Sequence, residues 1–262
     1  LTPRTVTNLF VHRSAARRYA TARPYFHPLV VRKIIDFTGT TRFSFALDVA
    51  CGTGQSSRAL VEIVDHIHAV DVSPAMVAEA ESHDRIRYCV ASAEGLPFPN
   101  NSFDLATVGL AFHWFNQAEF LQEANRVLEA DGWLVIYTSG FFGEMAEDSN
   151  FSDWAQNVYP ERFPTPPRHN YSIDLDTVET FGFTFHSTEK FTHDEKMQAE
   201  QLTRYLLTQT NVIAAVESGT VSLDSAASWI QDEIEPFFNN NVRTMKFGGS
   251  ISFLRRSTVP NR

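Results

Sequence analysis

Gly52 and Gly54 stand on either side of a threonine, just past the apolar run Phe43–Val49. Glycines let a backbone bend sharply and let a ligand approach with no Cβ in the way. A second apolar run, from His66 to Val70, ends in Asp71. An acidic side chain at such a strand tip is placed to accept hydrogen bonds from the two hydroxyls of a ribose. A glycine turn and an acidic tip together point to a cofactor that contains a nucleoside. His113 is a third candidate, within Leu110-Ala111-Phe112-His113-Trp114-Phe115. An imidazole with an unperturbed pKa of roughly 6.5 suits general-base work near neutral pH. The alternative is a packed histidine that holds a turn. Trp114 is either a wall of a substrate pocket or plain core.

These groups meet only if a parallel sheet carries them. Phe43–Val49 is too short for a helix and reads as a buried strand. The following helix carries Ala59, Leu60, Ile63 and Val64 on one side, a 3.6-residue pattern. A strand, a glycine turn and a helix N-terminus form a ligand cradle at the carboxyl end of such a sheet. Ser73 suits a helix N-cap and Pro74 the first helical position, with Met76, Val77 and Ala80 facing inward. Ile86–Val90 and Phe103–Gly109 are the third and fourth strands. Asn116, with Glu119 three residues on, resembles a capping box for the next helix. Asp131-Gly132 signals a turn, and Trp133–Tyr137 is the fifth strand.

The run Leu47-Asp48-Val49-Ala50-Cys51-Gly52-Thr53-Gly54 resembles motif I of the class I S-adenosylmethionine-dependent methyltransferases. Val70-Asp71-Val72-Ser73-Pro74-Ala75-Met76 is similar to the next motif, and Ala91-Ser92-Ala93-Glu94-Gly95-Leu96-Pro97-Phe98 to the third. Asn101-Ser102-Phe103-Asp104-Leu105 is similar to the start of the family's fourth strand. The match runs from about Tyr19 to Tyr137, and Ala50 stands where the family has its first glycine. The resemblance is to the small-molecule branch that includes trans-aconitate methyltransferase. It implies S-adenosylmethionine as cofactor, held by Tyr19, Asp48, Ala50, Gly52, Gly54, Gln55, Asp71, Val72, Met76, Ala93, Glu94 and Leu110. It also implies an N-terminal lid in which Tyr19 and Arg23 close the site, Arg23 toward substrate. On residue type alone, Tyr19 equally packs and Arg23 equally pairs with a surface carboxylate. His113 and Trp114 fall in the branch's His-Trp-Phe segment, where Asn116 replaces the usual aspartate.

The implied fold is α/β: a doubly wound, seven-stranded, mostly parallel Rossmann-like sheet with a C-terminal antiparallel strand and an inserted lid. Residues 1–42 make an N-terminal lid and helix, 43–139 the cofactor-binding core, 140–182 the inserted lid, and 183–262 C-terminal strands and a helical cap. Residues 1–18, with Arg4, Arg13, Arg17 and Arg18, read as a solvated arm. The insert contains Pro160, Pro164, Pro166 and Pro167 and reads as irregular, with Phe151, Trp154, Tyr159 and Phe163 favouring a folded lid. Phe183–Phe191 reads as a strand and Met197–Val216 as helical. Ala226–Phe238 reads as a helix ended near Pro236, and Thr244–Arg255 as a final strand kinked at Gly248-Gly249.

Composition narrows the reading. The 262 residues carry a net charge of −9, which disfavours a nucleic-acid partner. No apolar run approaches membrane-spanning length, and no signal-peptide pattern opens the chain. Cys51 and Cys89 read as reduced thiols of a cytoplasmic enzyme rather than a disulfide or metal site. A nicotinamide enzyme predicts a third glycine after Gly54, and Ser56-Ser57 lacks it. The expected function is methyl transfer from S-adenosylmethionine to a carboxyl or hydroxyl oxygen of a small molecule. The alternative is a catalytically silent sensor or partner subunit of the same fold.

Overall fold

The structure is a computed structural model that describes residues 13–166 and 175–257. Arg4 and the insert's residues 167–174, Pro167 among them, lie outside the described residues. In chain order the elements are α1 (Arg13–Ala22), α2 (His27–Thr38), β1 (Phe43–Val49), α3 (Gln55–Leu60) and β2 (Val64–Asp71). Next come α4 (Pro74–Val77), β3 (Ile86–Val90), β4 (Phe103–Gly109), α5 (Gln117–Val127) and β5 (Leu128–Met145). Then follow α6 (Phe151–Asp153), α7 (Tyr159–Arg162), α8 (Leu175–Thr180) and β6 (Phe183–Met197). The chain ends with α9 (Ala199–Leu206), α10 (Thr210–Glu217), α11 (Leu223–Phe238) and β7 (Arg243–Arg256).

The seven strands form one sheet in the order β3-β2-β1-β4-β5-β7-β6. β1 pairs in parallel with β2 and β4, β2 with β3, and β4 with β5, and the C-terminal strand is antiparallel. The chain divides into two compact units. The first gathers α1 with residues 139–166 and 192–248; the second comprises residues 25–138, 175–191 and 249–257.

In the second unit the strand alternation sorts side chains onto two faces. Ala46, Leu105, Val135 and Tyr137 pack with Val30, Val31 and Ile34 of α2 and with Ala59 and Leu60 of α3. Leu47, Val49, Val108, Leu134 and Ile136 pack with Phe120, Leu121, Ala124 and Val127 of α5. Each such aliphatic side chain, fully buried, contributes about 1.5–3 kcal/mol relative to exposure. The first unit has its own core, in which Phe151, Trp154 and Phe163 meet Leu202, Tyr205, Ile230 and Ile234.

Several expectations are corrected. Arg13–Ala22 is a helix with Ala15 and Ala16 buried, not an extension of a solvated arm. α3 stops at Leu60, and Val64 already opens β2, so the apolar period there spans a turn. β5 runs to Met145 rather than ending at Tyr137, and Gly143 inside it takes a left-handed φ of 72°. The described part of the insert is mainly helical: α6, a π-helical turn at Trp154–Val158 and α7 follow one another without a break, and Pro160 lies within that run. β6 extends to Met197. α11 starts at Leu223 rather than Ala226; it ends at Phe238 as expected, closed by an N–H of Asn239, in the left-handed region, to the Glu235 carbonyl.

A buried pair lies on the α2 face. His27 Nδ1 is 3.1 Å from the Tyr137 hydroxyl. Burial lowers the His27 pKa from its usual value to about 4. At pH 7 the ring is therefore neutral in both the folded and the unfolded chain. As pH falls below about 6.5 the unfolded chain takes up the proton and the folded one does not, so stability is lost progressively down to about pH 4. Between pH 7 and 4.5 this amounts to about 2 kcal/mol. Urea denaturation at both pH values checks it: His27→Gln loses that much less on acidification than the wild type, and an equal loss in the two proteins refutes it.

Candidate functional site

The strand order reverses at β1, so β2 and β4 flank it and a crevice opens beyond their carboxyl ends. Register fixes what meets there. Val49 is level with both Val70 and Val108, and Val70 with Cys89. The residues that follow these four strands therefore share one edge of the sheet. Ala50, Gly52, Gly54 and Gln55 follow β1; Val72 and Met76 follow Asp71 at the end of β2; Ala93 and Glu94 follow β3; Leu110 follows β4.

The turn after β1 is held by backbone and carboxylate. Cys51 N–H donates to the Val70 carbonyl at 2.9 Å, and Gly54 N–H to the Cys51 carbonyl at 2.9 Å. Gly52 and Gly54 have φ of 57° and 80°, where glycine is at ease. Ala50, at φ 56°, and Leu110, at φ 59°, adopt the same left-handed region with side chains, a strain of about 1–2 kcal/mol each. Strained positions of this kind cluster at functional sites.

Asp71 reaches back to the turn. Its Oδ2 accepts from Gly52 N–H at 2.9 Å and its Oδ1 from Ser73 N–H at 2.8 Å. Each oxygen keeps a lone pair for a further donor. Burial raises the Asp71 pKa, and the two N–H groups oppose that rise. Ser73 caps α4 as the sequence predicts, its hydroxyl accepting from Met76 N–H, with Pro74 opening the helix. Met76 is buried with its methyl against Gly52, where an added Cβ would come within 3.3 Å. Val72 is 58% exposed, an apolar side chain on the rim.

Asp48 is fully buried beneath the turn. It accepts hydrogen bonds from Ser56 Oγ at 2.5 Å, Ser57 Oγ at 2.6 Å and Thr107 Oγ1 at 3.0 Å. The Thr107 contact follows from register, since Asp48 and Thr107 are level on β1 and β4. Asp48 thus ties the first turn of α3 and the fourth strand to the first. Burial raises its pKa, against the pull of the three hydroxyls.

The loop after β3 is clasped by α5. Glu94 Oε1 accepts from the Asn116 N–H at 2.9 Å, and its other oxygen accepts from the Ser92 hydroxyl. Leu96 N–H donates to Glu123 at 2.8 Å, while Arg126 donates to the Leu96 and Phe98 carbonyls at 2.9 and 2.6 Å. The Arg126 guanidinium also bonds Glu123 and lowers its pKa. Asn116 is the N-cap of α5 as the spacing predicts, but no side-chain cap bond forms. The reciprocal box with Glu119 is absent because Glu94 takes the Asn116 N–H from outside the helix.

His113 and Trp114 lie in a short 3-10 turn, Phe112–Trp114, beyond the end of β4. Their rings are 4.7 Å apart and tilted by 45°. Trp114 is partly buried against the α5-side core. Tyr19 and Arg23 belong to the first unit. There the Arg23 guanidinium lies 4.7 Å from the Tyr19 ring and 5.2 Å from the Tyr205 ring, and Nη2 donates to the Thr208 carbonyl at 2.8 Å. Such cation–π contacts hold the guanidinium in place; neither partner is a surface carboxylate.

Four residues escaped the sequence reading. Ser56, Ser57 and Thr107 carry the Asp48 anchor, and Thr53 sits inside the glycine turn. The Thr53 hydroxyl oxygen is buried and has no protein partner. A buried unpaired hydroxyl in a ligand cradle is a group that a bound molecule can satisfy. The signal in the sequence was a run of hydroxyl residues shortly after an aspartate with no charged partner in view. Among the described residues no cluster of His, Cys, Asp or Glu has the arrangement of a metal site. Cys51 and Cys89 are free, and burial pushes the Cys51 thiol up.

This sheet order, with a glycine turn and an acidic tip at the reversal point, is the Rossmann-like fold found in class I methyltransferases. Residues 47–136 match the family model described as methyltransferase domain. S-adenosylmethionine is the cofactor of the class, and the open lone pairs of Asp71 and the unpaired Thr53 hydroxyl fit a ligand with ribose hydroxyls. The chain is 31% identical over 127 residues to a Dictyostelium discoideum protein provisionally named as a methyltransferase, covering 48% of each. It is 26% identical to an uncharacterized methyltransferase of Schizosaccharomyces pombe, over 72% of this chain and 74% of that one. In fold it resembles a structure from Anaeromyxobacter dehalogenans provisionally assigned as a type II methyltransferase. The TM-score is 0.66 at 22% identity, over 89% of this chain and 97% of the other. The chain spans about half the length of the first of these relatives.

Proposed function

We propose that the protein transfers the methyl group of S-adenosylmethionine to a carboxyl or hydroxyl oxygen of a small molecule. The observation that carries the reading is the convergence of the glycine turn, the Asp71 carboxylate and the unpaired Thr53 hydroxyl at the reversal point of the sheet. The bound cofactor supplies the electrophilic methyl group; the chain binds it, orients it and keeps water away. Asp71 receives the ribose hydroxyls while fixing Gly52. Ala93, Glu94, Val72 and Met76 shape the nucleoside site, with Leu110 at the far edge. Asp48 acts through Ser56, Ser57 and Thr107 as a positioning residue. His113 is the candidate base for a hydroxyl acceptor, and Trp114 is the candidate substrate contact.

The acidic net charge of −9 favours a small molecule over a nucleic acid. No helix among the described residues is long and apolar enough to cross a membrane. The two free thiols favour the cytoplasm. Titration calorimetry with S-adenosylhomocysteine tests the cofactor site. The wild type binds, and Asp71→Asn, which keeps the volume but loses one acceptor oxygen, binds at least ~10-fold more weakly, a change of about 1.4 kcal/mol. Equal affinity in the two proteins removes Asp71 from the site. Methyl transfer from labelled cofactor across a panel of carboxylic and hydroxylated acceptors then tests the reaction; binding without transfer to any of them favours the silent sensor.

A further inference from the structure

The first unit contains a constellation that the methyl-transfer reading does not use. Ser139 Oγ lies 3.2 Å from His193 Nε2, and His193 Nδ1 lies 3.0 Å from Glu195 Oε1. We propose that Ser139, His193 and Glu195 form a nucleophile–base–carboxylate relay, and that Ser139 accepts the acyl group of activated carboxylic esters.

The chain builds this arrangement from strand periodicity. His193 and Glu195 are two residues apart on β6, so both face the same side of the sheet. Ser139 is on β5, and β7 runs between the two strands, so the Ser139–His193 bond passes across the middle strand. Phe247 of that strand stacks on the imidazole with ring centroids 5.4 Å apart and 25° between planes. The ring is thereby held in orientation from below and from its Nδ1 edge. A carboxylate only accepts, so Nδ1 carries the proton and Nε2 presents its lone pair toward the serine hydroxyl. A nucleophile within hydrogen-bond reach of a base, itself oriented by a third group, is the signature of an activated hydroxyl. The side chains of His193 and Glu195 are 12% and 30% exposed, which leaves the relay sheltered yet within reach of solvent.

The surroundings indicate the acyl group. Phe141 shares a strand face with Ser139, and its ring is 5.2 Å from Phe247 and 6.2 Å from Tyr205. Tyr205 and Phe247 are 5.2 Å apart. Tyr205 and Phe247 belong to the core of the unit, while Phe141 is only partly buried against it and is the ring an apolar acyl chain can meet beside Ser139. In the step proposed, Ser139 Oγ attacks the ester carbonyl carbon and its proton passes to His193 Nε2. The C–O bond to the alcohol breaks, and the leaving oxygen takes the proton from His193. Water then attacks the acyl-serine with His193 again accepting a proton. The acid is released and Ser139 is restored. No oxidant or cofactor takes part. An ester with a good leaving group is the right class, because it asks least of oxyanion stabilisation.

The test uses the full chain with a fluorophosphonate probe and with p-nitrophenyl acetate. Peptide mass spectrometry is expected to find the phosphonate on Ser139, with p-nitrophenolate released catalytically. Ser139→Ala abolishes both, and His193→Gln slows both by roughly 100-fold or more, the range of a lost general base. Glu195→Gln slows them less, and Glu195→Asp recovers part of the rate, which a purely structural cross-strand bond would not produce. A wild-type protein whose Ser139 stays unlabelled overturns the proposal, as does hydrolysis that persists in Ser139→Ala. S-adenosylhomocysteine binding, measured on the same variants, reports folding independently of the relay, and the proposal stands or falls without regard to methyl transfer.

Discussion

Asp48→Ala lowers folding stability by about 3–5 kcal/mol and removes cofactor binding. The substitution takes away the acceptor shared by Ser56, Ser57 and Thr107. All three hydroxyls are buried, Ser57 and Thr107 at 0% and 1% exposure. A buried donor left without a partner costs about 1–3 kcal/mol, and rotation of a hydroxyl toward a backbone carbonyl recovers only part of that. The space left by the carboxylate adds a cavity cost. Asp48→Asn keeps the volume and one acceptor oxygen, so it costs about 1–2 kcal/mol. Chemical denaturation of the three proteins gives the comparison. An Asp48→Ala protein within 1 kcal/mol of wild type would show that the aspartate does not anchor α3 and β4.

Gly54→Ala is the second large effect. The residue has φ of 80°, where a side chain costs about 1–2 kcal/mol. A Cβ there would also lie 2.4 Å from the Tyr88 hydroxyl and 2.9 Å from its ring. Relief requires the tyrosine or the turn to move, at a typical overpacking cost of about 1–3 kcal/mol. The two effects together lower stability by about 2–5 kcal/mol. They also displace the start of α3, so S-adenosylhomocysteine affinity falls by more than ~10-fold, or about 1.4 kcal/mol. In the Gly54→Ala/Tyr88→Leu double variant the overlap is gone and only the conformational strain remains. Thermal and urea unfolding of the single and double variants separate the contributions. A single variant as stable as the wild type would contradict the packing of Tyr88 on the turn.

The cofactor half of the molecule was legible because its strands are short apolar runs with clear punctuation. β1, β3 and β4 begin and end where the sequence predicts, and Asp71 closes β2. Ser73-Pro74 announced α4 in the same way, since capping is a local interaction. What stayed hidden depends on partners distant in sequence. Nothing local says that Thr107 is level with Asp48 or that Glu94 satisfies the Asn116 N–H. The length of β5 was obscured because the insert was read from residue 140, whereas the strand continues through Gly140 and Gly143. α11 ends at Phe238 as the sequence predicts, with Asn239 in the left-handed region closing it just past Pro236. The His193 relay was invisible because its three members come from two strands far apart in the chain.

The loop from Ser92 to Phe98 is fastened to α5 at both ends of that helix, through Asn116 at its start and Glu123 and Arg126 near its finish. A segment pinned at three places has little conformational freedom left to lose. A ligand that rests on it meets a finished surface, and the entropy of ordering the loop is already spent during folding. Association there should run at the pace of encounter rather than of rearrangement, with affinity differences among ligands expressed in how fast they leave.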